Sequence, residues 1–206
     1  MYCGGLTADE HSYNYCSHNF VELSNLTDAD INLNGLSLQY SSGGTNWEVL
    51  PLEGLIKKGS TFLIRGAQCS VMDANTTRIK VNSCDMEWKD KNGDLIKFDN
   101  TKAKFYLTWG DTASSVASPY SNAGGSFKVS KGYIDLIGLN KENAGDADTI
   151  DAKENTSYAY LSPNRLFTKY YSMDPVSQAT KALGKRNNAN DWYFVDLTKD
   201  IIPMIE

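Results

Sequence analysis

Leu36-Ser37-Leu38-Gln39-Tyr40 places an apolar side chain at every second position, with Ser37 and Gln39 between them. Successive side chains of a strand point to opposite faces, so this period of two reads as a strand with one face on a core and the other in water. The same alternation returns where Phe62 and Ile64 alternate with Leu63 and Arg65, and where Phe105, Leu107 and Trp109 alternate with Lys104, Tyr106 and Thr108. Further strands are expected over 19–24, 47–50, 77–81, 94–99, 127–129 and 132–138. Turn clusters separate them, among them Ser41-Ser42-Gly43-Gly44, Asn122-Ala123-Gly124-Gly125 and the hairpin-forming pair Asn92-Gly93. One short helix is expected near the C-terminus. There Asp174 is an N-cap and Pro175 takes the first turn, while Val176, Ala179, Ala182 and Leu183 share one face before Gly184. Many short strands and one helix too short to organise a fold predict an all-β chain, a β-sandwich. The expectation is a single domain over 1–206 whose extra length lies in long loops, mainly 110–126 and 140–155.

Composition agrees with strands and turns. The 206 residues include 18 Asn, 19 Ser and 14 Thr, about a quarter of the chain, with 12 Tyr beside them. These residue types favour turns and strands over helices. Hydrophobic residues make up 41% and charged residues 22%, enough apolar material for a core. Twenty Lys and Arg against 25 Asp and Glu leave a net charge of −5, which argues against nucleic acid as a partner, because phosphate backbones are captured by clustered positive charge. No run of apolar residues is long enough for a membrane-spanning helix. Met1-Tyr2-Cys3-Gly4-Gly5 lacks the basic and then apolar regions of a signal peptide.

Cys3, Cys16, Cys69 and Cys84 allow three pairings if all are oxidised. Two local bridges, Cys3–Cys16 and Cys69–Cys84, would each close a short loop and add about 3 kcal/mol in a chain-entropy view. Three glycosylation-type triplets begin at Asn25, Asn75 and Asn155, a number that a chain rich in Asn and Thr reaches by chance.

Longer motifs are more specific. Asn19-Phe20-Val21-Glu22-Leu23-Ser24-Asn25, followed by Asp30-Ile31-Asn32-Leu33-Asn34-Gly35-Leu36-Ser37-Leu38-Gln39-Tyr40, resembles the opening of the lamin tail domain, bacterial branch. Trp47, the turn and strand Gly59-Ser60-Thr61-Phe62-Leu63-Ile64, the strand Tyr133-Ile134-Asp135-Leu136-Ile137-Gly138 and the turn Glu154-Asn155-Thr156-Ser157 continue the likeness in order. Asn187-Asn188-Ala189-Asn190-Asp191-Trp192 is similar to the family's closing segment. The family's Arg after its "NTT" turn and its acidic residue before the closing motif fall here near Leu161 and at Gly184, with Arg165 as a candidate replacement. The resemblance implies an immunoglobulin-like β-sandwich. Its fold-defining residues would be Phe20, Glu22, Leu23, Asn25, Leu33, Gly35, Leu38, Tyr40, Trp47, Asp135, Asn155, Asn187, Asn188, Asp191 and Trp192. Phe20, Leu23, Leu33, Leu36, Leu38 and Trp47 would supply inner-face side chains, and Asn25 and Gly35 turn positions. It also implies a non-catalytic module that meets protein partners within a larger extracellular, cell-surface or virion assembly, or an accessory domain of a secreted multidomain enzyme.

Residues that could do chemistry are few. His11 and His18 are the only histidines, and with Cys3 and Cys16 they form the one arrangement that could be a thiol or zinc centre of a small enzyme. Their spacing of seven, four and one matches no paired zinc-ligand pattern, so no metal, cofactor or catalytic residue is expected. The carboxylates Glu142, Asp146, Asp148, Asp151 and Glu154 lack the alternation and closing Glu of a calcium loop and read as a solvated acidic loop. Asp90-Lys91-Asn92-Gly93-Asp94 reads as a hairpin turn between Glu87-Trp88-Lys89 and Leu95-Ile96-Lys97 rather than as a calcium loop. Lys181, Lys185 and Arg186 complement the dipole at the end of the expected helix. Tyr2, Tyr13, Tyr15, Tyr120, Tyr158, Tyr160, Tyr170, Tyr171 and Tyr193 lie in loops or at strand ends, where they suit either a contact surface or edge packing.

Overall fold

The computed structural model describes residues 16–25, 27–69, 80–99, 103–121, 128–139, 149–150, 158–159 and 195–196. All regular structure among them is β: β1 (His18–Ser24), β2 (Ile31–Asn32), β3 (Leu36–Ser41), β4 (Glu48–Pro51), β5 (Leu55–Ile56), β6 (Thr61–Gln68), β7 (Met86–Glu87), β8 (Lys104–Trp109), β9 (Tyr120–Ser121), β10 (Lys128–Val129), β11 (Tyr133–Leu139), β12 (Thr149–Ile150), β13 (Tyr158–Ala159) and β14 (Val195–Asp196). The expected helix over 174–184 lies outside the described residues.

Two sheets carry most of the chain. A five-stranded sheet runs β12-β11-β8-β3-β4 and a three-stranded sheet runs β1-β6-β7. In the first, β3 lies between β8 and β4 and is antiparallel to both, with Leu38 opposite Leu107 on one side and Leu50 on the other. In the second, β1 and β6 pair antiparallel with Val21 opposite Ile64, and a bulge between His18 and Phe20 bends the ladder. The short pairs β2 with β5, β9 with β10 and β13 with β14 complete the ladders.

One core joins the two sheets. Val21, Phe62 and Ile64 from β1 and β6 pack with Leu36, Leu38, Tyr40, Phe105 and Ile137 from β3, β8 and β11. Trp88, Ile96 and Phe98 close one side, and Leu33, Leu52 and Ile56 close another. The centre is aromatic: Tyr40, Trp88, Phe98 and Phe105 meet in tilted or edge-to-face pairs, Phe98 and Phe105 with centroids 4.9 Å apart at 89°. Edge-to-face geometry aligns the positive rim of one ring with the negative face of the next, worth about 0.5–1.5 kcal/mol per pair beyond burial.

Several expected features change. The segment 94–99 is not a regular strand: it meets 88–90 at a single antiparallel bridge, Lys89 opposite Leu95, and its later backbone groups are taken separately. Ile96 N–H donates to Trp88 O and Ile96 O accepts from Ala67 N–H, while Phe98 N–H donates to Asn19 Oδ1 and Asp99 N–H to the Tyr40 hydroxyl. Gly66 makes that approach feasible, since a Cβ there would stand 2.8 Å from Ile96 O and 3.1 Å from the Phe98 ring. Of the strand expected over 77–81, residues 77–79 lie outside the described set, and 80–81 are not strand. Phe20 is fully buried but lies on the opposite face of β1 from Val21, which carries the core contact. β3 is buried on both faces, not one: Ser37 and Gln39 are as inaccessible as Leu38.

Candidate functional site

The second burial of β3 comes from residues 110–120, which cross the outer face of the five-stranded sheet. Gln39 holds this segment at two points, its Nε2 donating to Thr112 O at 2.8 Å and its Oε1 accepting from Ser114 N–H at 2.9 Å. Ser37 Oγ donates to Gly110 O, Trp47 Nε1 to Val116 O, and Lys104 Nζ to Ala117 O while also standing 5.2 Å over the Trp47 ring. Side chains of β3 and β8, with Trp47 just before β4, thus bond the backbone of a largely exposed loop that forms no ladder over 110–119. Below it Trp47, Tyr106, Tyr120 and Leu136 form a second apolar cluster. Trp47 was expected on the inner face with Leu36 and Leu38. It belongs instead to this outer layer, because its indole N–H finds an acceptor in the crossing segment. Tyr120 is buried at a strand end, the edge-packing role rather than a contact surface. Burial also pushes the Tyr106 hydroxyl pKa up.

The chemistry-bearing side chains meet near the start of β1. Cys16 and Cys69 are buried and, with the half-buried Cys84, carry thiols. Cys69 N–H donates to Ser17 O, and Asn19 Nδ2 lies 3.6 Å from Cys69 Sγ. Burial, then the neighbouring Cys69, pushes the Cys16 thiol far above its ordinary value, and burial pushes Cys69 up to about 12. A nucleophilic or metal-binding cysteine needs the opposite shift, toward thiolate. Cys84 is also raised, mainly by burial. His18 Nδ1 lies 2.9 Å from Ser17 Oγ, and its pKa is lowered first by burial and then by Arg65. Arg65 pairs with Glu87 and donates to Val81 O and Asn82 O, so it ties 81–82 to β6. Glu87 also pairs with Lys89 at 2.9 Å, and the hydrogen bonds from Lys89 and then Arg65 hold its carboxyl down at about 2. Among the described residues no three His, Cys, Asp or Glu side chains are grouped to hold a metal. Cys3 and His11, the other half of the thiol or zinc arrangement, lie outside the described residues.

Asn25 is the most heavily bonded of the motif residues. It is 1% exposed, and its Nδ2 donates to Ala29 O, Ile56 O and Lys57 O, while Oδ1 accepts from Thr27 N–H and Thr27 Oγ1. One amide therefore closes the turn after β1 and binds it to β5. The glycosylation-type triplet at Asn25 is occluded by the same contacts. Leu33, Leu38 and Tyr40 are in the core, Glu22 and Leu23 are half-buried on β1, and Gly35 takes the turn before β3 with φ +86°. Asp135 Oδ1 accepts from Leu136 N–H. Asn155, Asn187, Asn188, Asp191 and Trp192 lie outside the described residues, as do the acidic loop and the basic cluster. Asp90 holds a hairpin turn: its Oδ1 accepts from Asn92 and Asp94 N–H and its pKa is lowered by those bonds, Asn92 first.

Sequence reasoning missed the exposed end of β8. Trp109, read as the last inward residue of an alternating strand, is 56% exposed. It pairs with Leu36 where β3 begins, and Gly110 N–H donates to Gly35 O while Trp109 N–H donates to Gly132 O. Leu33 N–H donates to Gly54 O on the far side of the same turn. Those bonds draw the 33–36 turn, the β4–β5 connection and the β10–β11 turn to one end of the sheets. The exposed Leu55 and Val129 lie on these segments. No helix among the described residues is long and apolar enough to cross a membrane. No protein-family model matches the chain, and no curated protein matches it.

Proposed function

We propose that this chain is an immunoglobulin-like β-sandwich of lamin-tail type, a non-catalytic module that works by contact with protein partners in a larger extracellular, surface or virion assembly. The observation that carries the reading is the exposed indole of Trp109, mounted on a hydrogen-bonded strand end, with the exposed Leu55 and Val129 on segments tied to the same end of the sheets. Tryptophan is among the residue types that dominate contact hot spots, and a monomer gains nothing from leaving one exposed. The wiring of Asn25 supports the family reading, since a buried amide that closes the first turn gives the "FVEL-N" motif a physical reason to persist. Raised thiol pKa values and a Glu87 held in ion pairs support structural roles for the polar corner.

Placing a photo-crosslinking residue at position 109, and in a second variant at the exposed Thr45 beyond the opposite end of β3, tests this in the native setting. A defined adduct with one protein at 109 and none at 45 is expected. Equal labelling at both sites, or none at 109, contradicts the reading.

A further inference from the structure

Two Asn-Gly pairs, Asn34-Gly35 and Asn92-Gly93, sit in exposed turns. An asparagine followed by glycine can cyclise on itself, because the unhindered glycine nitrogen reaches the side-chain carbonyl carbon. The structure holds the two pairs differently. At the second, Gly93 N–H donates to Asp90 O at 3.0 Å, so the attacking nitrogen is engaged, and Asn92 Nδ2 donates to Asp90 Oδ2 at 3.2 Å. At the first, the turn is closed by Leu36 N–H donating to Leu33 O, which leaves the Gly35 N–H without a partner among the described residues. Gly54 N–H donates to Asn34 Oδ1 at 3.3 Å, the oxygen on which negative charge gathers when the amide carbon is attacked.

We propose that Asn34 is a self-modifying site of this chain, converting through a succinimide to aspartate and isoaspartate while Asn92 is protected. Gly35 N loses its proton to base and attacks Asn34 Cγ; the N–Cγ bond forms, the Cγ–Nδ2 bond breaks, and Nδ2 leaves as ammonia with a proton. Water then opens the five-membered ring at either carbonyl. The balance is one water consumed and one ammonia released, with no oxidant or reductant. Each event adds one negative charge to the β2–β3 turn, two residues from Leu36. The isoaspartyl product also lengthens the backbone where Leu33 and Leu36 enter the core.

Peptide mapping after incubation of the folded full chain in mildly alkaline buffer tests the proposal, with the urea-denatured chain as reference. Conversion at Asn34 about tenfold faster than at Asn92 in the folded chain is expected, because a single oriented donor to the developing oxyanion and a free nucleophile act together. The two rates should converge in urea, where both turns are lost. Asn34→Gln, which keeps the amide but disfavours ring closure, should abolish the charge gain at this turn. Equal rates in the folded chain, faster conversion at Asn92, or a ratio unchanged by urea would overturn it.

Discussion

Replacing Asn25 by alanine removes five hydrogen bonds from a site that is 1% exposed. Their losses are unequal. Thr27 is half-buried and Ala29 and Lys57 are exposed, so water can rehydrate those groups, and each bond counts only roughly 0.5–1.5 kcal/mol. The Ile56 carbonyl belongs to a residue that is 4% exposed; it keeps its ladder bond to β2 but cannot be rehydrated, so its loss falls at the upper end of that range. Four losses at the low end of that range and one at its upper end sum to about 3.5 kcal/mol, a fall in melting temperature of roughly 7–14 °C for a domain of this size. Urea denaturation of the full chain measures it. Asn25→Asp sharpens the test, because the new carboxyl would face the Ala29, Ile56 and Lys57 carbonyl oxygens. Those acceptors disfavour its ionised form and raise its folded pKa above the unfolded value of about 3.9. The variant's added instability is then small in acid and grows as pH rises through the folded pKa. A loss below about 1 kcal/mol for Asn25→Ala, or an Asn25→Asp deficit independent of pH, would refute the role given to this amide.

Three further outcomes follow from the same contacts. His18 has its folded pKa lowered by burial and then by Arg65, so the unfolded chain takes up the proton first and stability is lost as pH falls below about 6.5; Glu87, held at about 2 by Lys89 and Arg65, adds a loss of the same sign below about 4.3. His18→Gln should flatten the upper part of that slope in urea midpoints measured across pH, and an unchanged slope speaks against a half-buried imidazole held neutral by its surroundings. Gly66→Ala should destabilise by roughly 1–3 kcal/mol, because the new methyl meets the Ile96 carbonyl and the Phe98 ring, and a neutral effect in thermal melts would deny that close approach. Gln39→Ala should release residues 112–114 and make this stretch the first site of limited proteolysis, while cleavage no faster than in the parent chain would show that the amide does not hold it.

The strands that alternate could be read from the sequence, because a period of two is a local property. Leu36 to Tyr40, Phe62 to Ile64 and Phe105 to Leu107 all fall where the pattern puts them. What covers a strand's second face is not local. Ser37 and Gln39 looked like solvent-facing residues, yet their partners are 73 and 75 positions away in the crossing segment. The core positions of Trp88, Ile96 and Phe98 were not legible for a similar reason. Residues 96–99 reach the core through single bonds to Trp88, Ala67, Asn19 and Tyr40, and Trp88 through a bond to Arg65 O beside the two-residue β6–β7 ladder, so no long ladder carries a period there. Asn25 was legible as a turn former by its residue type and motif, although its bond to Ile56 was not. Trp109 was misread because alternation says which face a residue is on and nothing about where the partner layer ends.

The proposed contact runs through the β8 end and not through the polar corner around Cys16 and His18. Calorimetric titration of the protein crosslinked at position 109 with the full chain, Trp109→Ala and His18→Ala tests that most directly. The prediction is a loss of at least about 2 kcal/mol, roughly thirtyfold in affinity, for Trp109→Ala with His18→Ala unchanged. Undiminished binding by Trp109→Ala would contradict it.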